Sequence, residues 1–321
     1  MKNGKIITSA KLELDFRGSG SNWSILRMRH GYVNFDFVKK HNTSSLLVGQ
    51  TWHPLFGDVY PMMLNLSTGA PFNPFSRSPQ IRYRFATDKG LRLTAAAMWQ
   101  LQYLSTGPNG KSEEYIKNSN VPEVYVSAEY GKNKFLGGAG VEILSLTPRT
   151  QSTVGDKTYK VSERITTASF EAHAKYKTDN WQISGKTTLA SNLTQACGLG
   201  GYAVSGIYAH TGEQEYTPIR ISQSWINIVY GKKWQYGFFA GYLKNLGTRR
   251  EIVGAAYGIG LDVDQVFTTN YQISYNLPFL KVGMEYSPST ACFGTMKTDG
   301  RVYDTHSVTN HRLVTSIIYY F

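Results

Sequence analysis

Polar and apolar residues alternate along this chain with a period of two, in segments of about ten residues that recur up to the last residue, and this is the pattern of a transmembrane β-barrel. In residues 79–86, Gln80, Arg82 and Arg84 share one parity while Ile81, Tyr83 and Phe85 share the other. Asp88-Lys89-Gly90 reads as a tight turn, after which Arg92, Thr94, Gln100 and Gln102 oppose Leu91, Leu93, Ala95, Ala97, Trp99, Leu101 and Tyr103. Further on, Ser169, Glu171, His173, Lys175 and Lys177 oppose Ala168, Phe170, Ala172, Ala174 and Tyr176. Trp181, Ile183 and Leu189 stand against Gln182, Ser184, Lys186 and Thr188, and Phe267, Tyr271, Ile273 and Tyr275 stand against Thr268, Asn270, Gln272, Ser274 and Asn276. Soluble sandwiches also alternate, so parity alone does not separate the two classes.

Three features favour the membrane. Charged groups such as Glu171, Lys175 and Lys186 fall on the polar parity, as a water-filled lumen requires. Aromatic residues gather at segment ends: Trp181 and Trp234 follow tight turns, and Tyr130, Tyr176 and Tyr230 precede them, as in an interfacial girdle. Connections also alternate in length. Short ones fall at 40–43, 88–90, 131–133, 179–180, 231–233 and Pro278; long ones fall near 55–78, 106–121, 148–163, 195–218, 247–265 and 292–308. Short periplasmic turns and long extracellular loops are the barrel arrangement.

The reading is all-β: a single up-and-down antiparallel transmembrane barrel over 1–321. Its fourteen strands fall at roughly 5–16, 22–38, 45–54, 79–87, 90–104, 122–130, 134–146, 164–177, 181–193, 219–230, 234–246, 266–277, 279–289 and 309–321. A mean hydropathy of −0.31 fits this class, because only alternate residues meet lipid. The 22 Tyr, 15 Phe and 6 Trp suit the headgroup level. No apolar run reaches the length of a membrane-spanning helix.

Met1-Lys2-Asn3-Gly4-Lys5 has the positive start of an export signal without an apolar stretch behind it. Either a signal has been removed or the chain starts downstream of the true beginning. The net charge of +12 is spread singly rather than in a stripe, so nucleic acid is not an expected partner. A solvated basic surface and an anion-favouring field inside a pore both account for it. Cys197 and Cys292 lack metal-ligand spacing and are too few for a disulfide framework, although one bridge between them is open in an oxidising compartment. Neither a metal nor any cofactor is expected.

The chain ends Leu313-Val-Thr315-Ser-Ile317-Ile-Tyr319-Tyr-Phe321. Ile317, Tyr319 and Phe321 share one parity, like the terminal strand by which the barrel-assembly machinery recognises outer-membrane proteins. Residues 26–37, Leu-Arg-Met-Arg-His-Gly-Tyr-Val-Asn-Phe-Asp-Phe, and 46–54, Leu-Leu-Val-Gly-Gln-Thr-Trp-His-Pro, form an expected hairpin. Together with Lys11-Leu-Glu-Leu-Asp-Phe16 this stretch resembles porins of the DcaP-like type and their Bacteroidota relatives. The specific likeness covers about 50 residues, the rest agreeing only in architecture. It implies a 16-stranded homotrimeric porin of the Gram-negative outer membrane, embedded in outer-membrane lipids and passing small hydrophilic, often anionic, solutes. An N-terminal hairpin missing from the chain would account for fourteen strands where that family has sixteen.

Segment 55–78 would then be the loop that folds into the pore of general porins. It mixes apolar anchors with Asp58 and Arg77, and the lumen-folded constriction loop and an external loop both fit. A channel performs no bond chemistry, so its site is the set of lumen-facing charges. Arg27, Arg29, Arg82, Arg84 and Arg92 are read as a basic ladder facing Asp58, with Glu171, Lys175 and Lys186 also lining the pore. The competing reading pairs some arginines with Glu123, Glu129 or Glu171 to stiffen the wall. Between residues 22 and 37, Arg27 and Arg29 share parity with Val33, Phe35 and Phe37, which requires a bulge near His30-Gly31 if Asn34 and Asp36 face water.

The alternative functions are a non-channel adhesin or structural barrel and a barrel-rim hydrolase. None of His30, His41, His53, His173, His210, His306 and His311 sits in a catalytic motif, and Gly198-Leu-Gly200-Gly201 does not lead a strand into a helix. A plugged lumen would need more than side chains to fill a barrel this wide. The expected function is a passive channel with ion transport as its activity, not an enzyme.

Overall fold

The computed structural model describes residues 4–18, 25–65 and 67–321, and of Arg17 and Gly18 only the backbone. The charged residues Met1-Lys2-Asn3 and the expected start of the second strand at 22–24 lie outside the described residues. Period-two alternation produces fourteen long strands: β1 Lys5–Gly18, β2 Ile25–Val38, β3 Asn42–Trp52, β4 Arg77–Thr87, β5 Leu91–Met98, β6 Glu123–Lys132 and β7 Phe135–Leu146. The second half comprises β8 Ile165–Lys177, β9 Trp181–Ser191, β10 Gln214–Tyr230, β11 Trp234–Gly247, β12 Val263–Asn276, β13 Leu280–Met296 and β14 Val302–Tyr319.

Each strand pairs antiparallel with the next in one up-and-down path from β1 to β14. Two short strands, Gly200–Ile207 and Ala256–Ile259, add to it beside β10 and bring the sheet to sixteen. Among the described residues β1 and β14 do not pair with each other, so the path is open there.

Burial is inside-out relative to a soluble protein. Ile81 is 57% exposed and Phe170 54%, and Tyr83 and Ile273 are exposed as well. Gln80 on β4, Ser184, Lys186 and Thr188 on β9, and Gln272 and Ser274 on β12, all of the polar parity, are buried. An apolar face turned outward beside an enclosed polar face is the arrangement of a transmembrane barrel, not of a soluble protein. Aromatic residues at the short-turn end are exposed together: Trp181 packs on Tyr230 with ring centres 4.4 Å apart and Trp234 on Tyr275 at 4.8 Å, next to Tyr130, Tyr176, Tyr236 and Phe279. Among the described residues no helix is long and apolar enough to cross a membrane, which says nothing of crossing by strands.

The bulge falls one residue from the expected place. Glu13 pairs with His30 and Leu14 with Met28, so Arg29 is the extra residue of β2. Parity therefore switches across it: Asn34 and Asp36 join on the polar face, Asn34 Nδ2 donating to Asp36 Oδ1 at 2.9 Å, while Val33 is exposed. On the next strand, Gly49 sits at φ +130°, opposite Tyr32, where a Cβ would lie 2.3 Å from the Gly31 carbonyl oxygen. Only glycine allows the β2–β3 strands to approach so closely at that φ.

Three expected boundaries need correction. Residues 292–308 are not a long loop: β13 and β14 remain paired to Met296 and Val302, and the chain reverses at Lys297–Arg301 with Gly300 at φ +71°. Cross-strand pairs continue there without an apolar alternation, so the extension leaves no period to read from residue types. Strand β5 stops at Met98 instead of 104, because Trp99 N turns to the Pro79 carbonyl and Gln100 is buried against Ser105. Arg77 opens β4 rather than ending a loop. The remaining long connections carry local structure: helix α1, Glu114–Ser119, and a hairpin of Gln151–Val154 with Lys157–Lys160. Cys197 and Cys292 are free thiols, which removes the one bridge considered.

Candidate functional site

Between β3 and β4, residues 53–76 leave the wall and lie along the polar face of the sheet. At the near side Lys186 Nζ donates to the carbonyl oxygens of Leu55, at 2.6 Å, and Phe56, at 3.0 Å. Lys175 Nζ reaches the Asp58 carbonyl oxygen at 2.8 Å. The Asp58 carboxylate is shared by Arg92, at 3.3 Å, and Arg84, at 3.5 Å. At the far side Met62 N donates to Asn227 Oδ1 and Leu64 N to Gln272 Oε1, both at 2.8 Å, and Asn65 N donates to Glu285 Oε2 at 2.9 Å. Trp225 Nε1 donates to Asn73 Oδ1 at 3.2 Å, and Phe72 packs on Phe239 with both rings fully buried. Polar faces of β4, β5, β8, β9, β10, β12 and β13 thus converge on one chain segment, which requires the sheet to curl around it.

Room for this crossing is built into the wall. A Cβ at Gly241 would lie 2.5 Å from the Phe72 ring, and one at Gly283 would lie 2.7 Å from Leu64 Cδ1. Both distances are below any real Cβ contact, so alanine at 241 would have to displace the Phe72 ring and alanine at 283 the end of the Leu64 side chain.

The expected site residues fall into three groups rather than one ladder. Arg82, Arg84, Glu171 and Lys186 surround a small cavity of 120 Å³ together with Asp58 and His173. There Arg82 hydrogen-bonds Gln80 Oε1 at 2.8 Å and the Trp52 carbonyl, so its charge serves to close the wall beside the crossing segment. Glu171 accepts from Tyr125 and bonds His173, whose other nitrogen meets Glu129 at 3.0 Å. Arg27 and Arg29 line a larger cavity of 660 Å³ with Arg77 and Lys281, and are ion-paired to Asp15, at 2.6 Å, and Glu13, at 3.0 Å. Arg92 and Lys175 line a third, of 530 Å³, near the short turns. The ion pairs of these arginines run to Glu13, Asp15 and Asp58, whereas Glu123, Glu129 and Glu171 pair with His53 and His173.

Arg77 stacks its guanidinium 3.7 Å over Trp52, Trp52 stacks on Phe56 at 4.4 Å, and Phe56 stacks on Tyr60 at 5.1 Å. This pillar stiffens the first part of the segment, since aromatic pairs add about 0.5–1.5 kcal/mol beyond area burial. At the C-terminus Ile317 and Tyr319 are exposed on the outward face and Phe321 beyond them is fully exposed, its ring stacked on Tyr319 at 6.3 Å.

Sequence reading missed His53, Gln195 and Glu285 as partners of the crossing. His53 Nε2 bonds Glu123 Oε1 at 2.8 Å, and Gln195 Nε2 bridges Glu123 and Glu142, at 3.0 and 3.3 Å. Glu285 accepts from Asn65, Thr68, Asn270 and Ser287. A carboxylate on the polar parity of its strand, four residues beyond Lys281, was the available signal.

No protein-family model and no curated protein matches the sequence. Among solved structures, the chain is similar to the outer membrane channel DcaP of Acinetobacter baumannii, with a TM-score of 0.70 at 16% identity over 98% of this chain and 81% of that one. It is also similar to OmpT, an outer membrane protein of Vibrio cholerae. In its loop L8 deletion mutant the TM-score is 0.55 at 14% identity over 100% of this chain and 87% of that one. The outer-membrane expressed form gives 0.52 at 14% over 92% and 82%. The fold of this chain is that of the outer-membrane channel DcaP.

Proposed function

We propose that the protein is a porin of the bacterial outer membrane, a passive diffusion channel for small hydrophilic solutes with a preference for anions. The observation that carries this reading is the pairing of an exposed apolar wall with an enclosed polar face along which residues 53–76 cross. In this reading that segment is the constriction loop. It leaves the 660 Å³ cavity lined by Arg27, Arg29, Arg77 and Lys281 as the aqueous path beside it. Arg27 and Arg29 are balanced by Asp15 and Glu13, while among the described residues Lys281 bonds the Gln235 amide at 3.1 Å and the Arg77 guanidinium meets the Gln102 amide and the Trp52 ring, neither in an ion pair. In this reading Arg77 and Lys281 supply the anion-favouring field. A diffusion channel performs no bond chemistry, so this reading makes the protein a channel and not an enzyme. Assembly as a homotrimer in outer-membrane lipids, after recognition of Ile317, Tyr319 and Phe321 by the barrel-assembly machinery, completes the proposal.

Planar-bilayer recording tests it. Steady single-channel current, with a reversal potential in a KCl gradient on the anion side that moves toward zero in Arg77→Gln/Lys281→Gln, is the expected result. Folded protein that inserts without conducting would return the plugged adhesin or rim hydrolase as the reading.

A further inference from the structure

We infer that the short-turn mouth of the channel holds a binding site for multivalent phosphate anions, distinct from the field beside the constriction. The inference rests on the channel reading above. The 530 Å³ cavity at this mouth is lined by Arg92, Lys132, Lys134, Lys175 and Lys177, with Asp58 the only carboxylate on its wall. Asp58 is already shared by Arg84 and Arg92. Lys175 spends one N–H on the Asp58 backbone carbonyl, which leaves its charge unbalanced. Among the described residues Lys132, Lys134 and Lys177 stand in no ion pair, and all three are exposed. The two turns that carry them are held together: Lys177 N donates to the Lys134 carbonyl at 2.8 Å, so the ammonium groups come from a fixed frame.

The chemistry selects charge number over shape. Lysine ammoniums are compact, mobile point charges with three donors each, suited to phosphate oxygens and unable to make the two-point planar fit that arginine gives a carboxylate. Several such groups around one hollow favour an anion with several charged oxygens far more than a monovalent one, because each added charge meets every ammonium. The ligand class is thus a pyrophosphate-bearing or doubly phosphorylated small molecule. It would enter from the short-turn side, which in such barrels is periplasmic.

The test is sided block of single-channel current, with inorganic pyrophosphate added to one compartment at a time and chloride and orthophosphate as comparisons. Block is expected from one side only, stronger for pyrophosphate than for orthophosphate. The half-blocking concentration should rise at least about tenfold in Lys132→Gln/Lys134→Gln, a loss of two close charges. Lys232→Gln/Lys233→Gln, on a turn outside the cavity, serves as the control and should leave the block unchanged. Equal block from both sides, or block that survives the Lys132 and Lys134 substitutions, overturns the site while leaving the channel intact. Absence of any steady current from the unsubstituted protein removes the channel reading instead, and the site with it.

Discussion

Lys186 Nζ on β9 lies 2.6 Å from the carbonyl oxygen of Leu55, so a charged side chain of the wall holds the first turn of the segment that crosses the polar interior. The lysine is only 5% exposed and donates a second bond to Phe56. Hydrogen bonds of this charged kind contribute about 1.5–3 kcal/mol each. Lys186→Met keeps the length of the side chain and removes both bonds. The expected outcome is a barrel that still folds, by heat-modifiable mobility in gels, and a channel whose current flickers as the segment loosens. A current as quiet as the parent's would show that Lys186 does not restrain it.

The far anchor is made of packing. Phe72 is 1% exposed against Phe239, and Gly241 leaves the space its ring occupies. Phe72→Ala removes a buried ring at a cost of about 3–5 kcal/mol. Gly241→Leu should do comparable damage by forcing the ring away. Both variants are expected to lower the thermal midpoint of unfolding in detergent, and the double variant to lose much less than the sum, since each destroys the same contact. Full additivity would place the Phe72 contribution elsewhere.

The wall was legible in the sequence because its physics is local. A strand declares its two faces through parity alone, so Ile81 against Arg82 and Ile183 against Lys186 could be assigned from neighbours. The interior crossing was not legible to the same degree. Nothing in Leu55, Met62 or Asn65 says that their backbone groups meet Lys186, Asn227 and Glu285, which are 131, 165 and 220 residues away. Of the arginine ladder, parity places Arg82 and Arg84 on one face, and Arg84 and Arg92 meet Asp58 as read. Arg27 and Arg29 lie at the β2 bulge and pair with Asp15 and Glu13 of β1, which become neighbours only through register.

Two neighbouring turns at the short-turn rim are tied by a bond that depends on pH. Asp88 N donates to the His41 carbonyl at 3.0 Å, and His41 Nδ1 bonds Asp88 Oδ2 at 2.8 Å. The His41 hydrogen bond holds the Asp88 carboxyl below its ordinary range. A carboxylate whose folded pKa is depressed contributes stability that is present above its unfolded value, about 3.9, and is lost as pH falls through the folded value. In a carboxyl-carbon NMR titration, Asp88 should therefore titrate below the usual range, and His41→Ala should move it upward. If the two titrations coincide, the bond does not form in solution.

The most demanding prediction contrasts two adjacent residues on β4. Ile81 is 57% exposed and faces outward, while Arg82 beside it lies on the enclosed face with its guanidinium on Gln80 and the Trp52 carbonyl. In water an exposed isoleucine replaced by lysine costs little. In a bilayer, lysine on the lipid face costs about 2–4 kcal/mol at the midplane and falls toward zero near the interface. Ile81→Lys should accordingly destabilise the protein in phospholipid vesicles by an amount within that range. Leu91→Lys, next to the turn at the short-turn rim and likewise exposed, should cost much less. Arg82→Met reverses the logic: it leaves the outward face intact and removes the donors to Gln80 and to the Trp52 carbonyl, where β3 gives way to the crossing segment, so its effect belongs in channel current rather than in vesicle stability. Equal tolerance of lysine at 81 and 91 in vesicles would mean that this face of β4 does not meet hydrocarbon, and the orientation of the whole wall would have to be reversed.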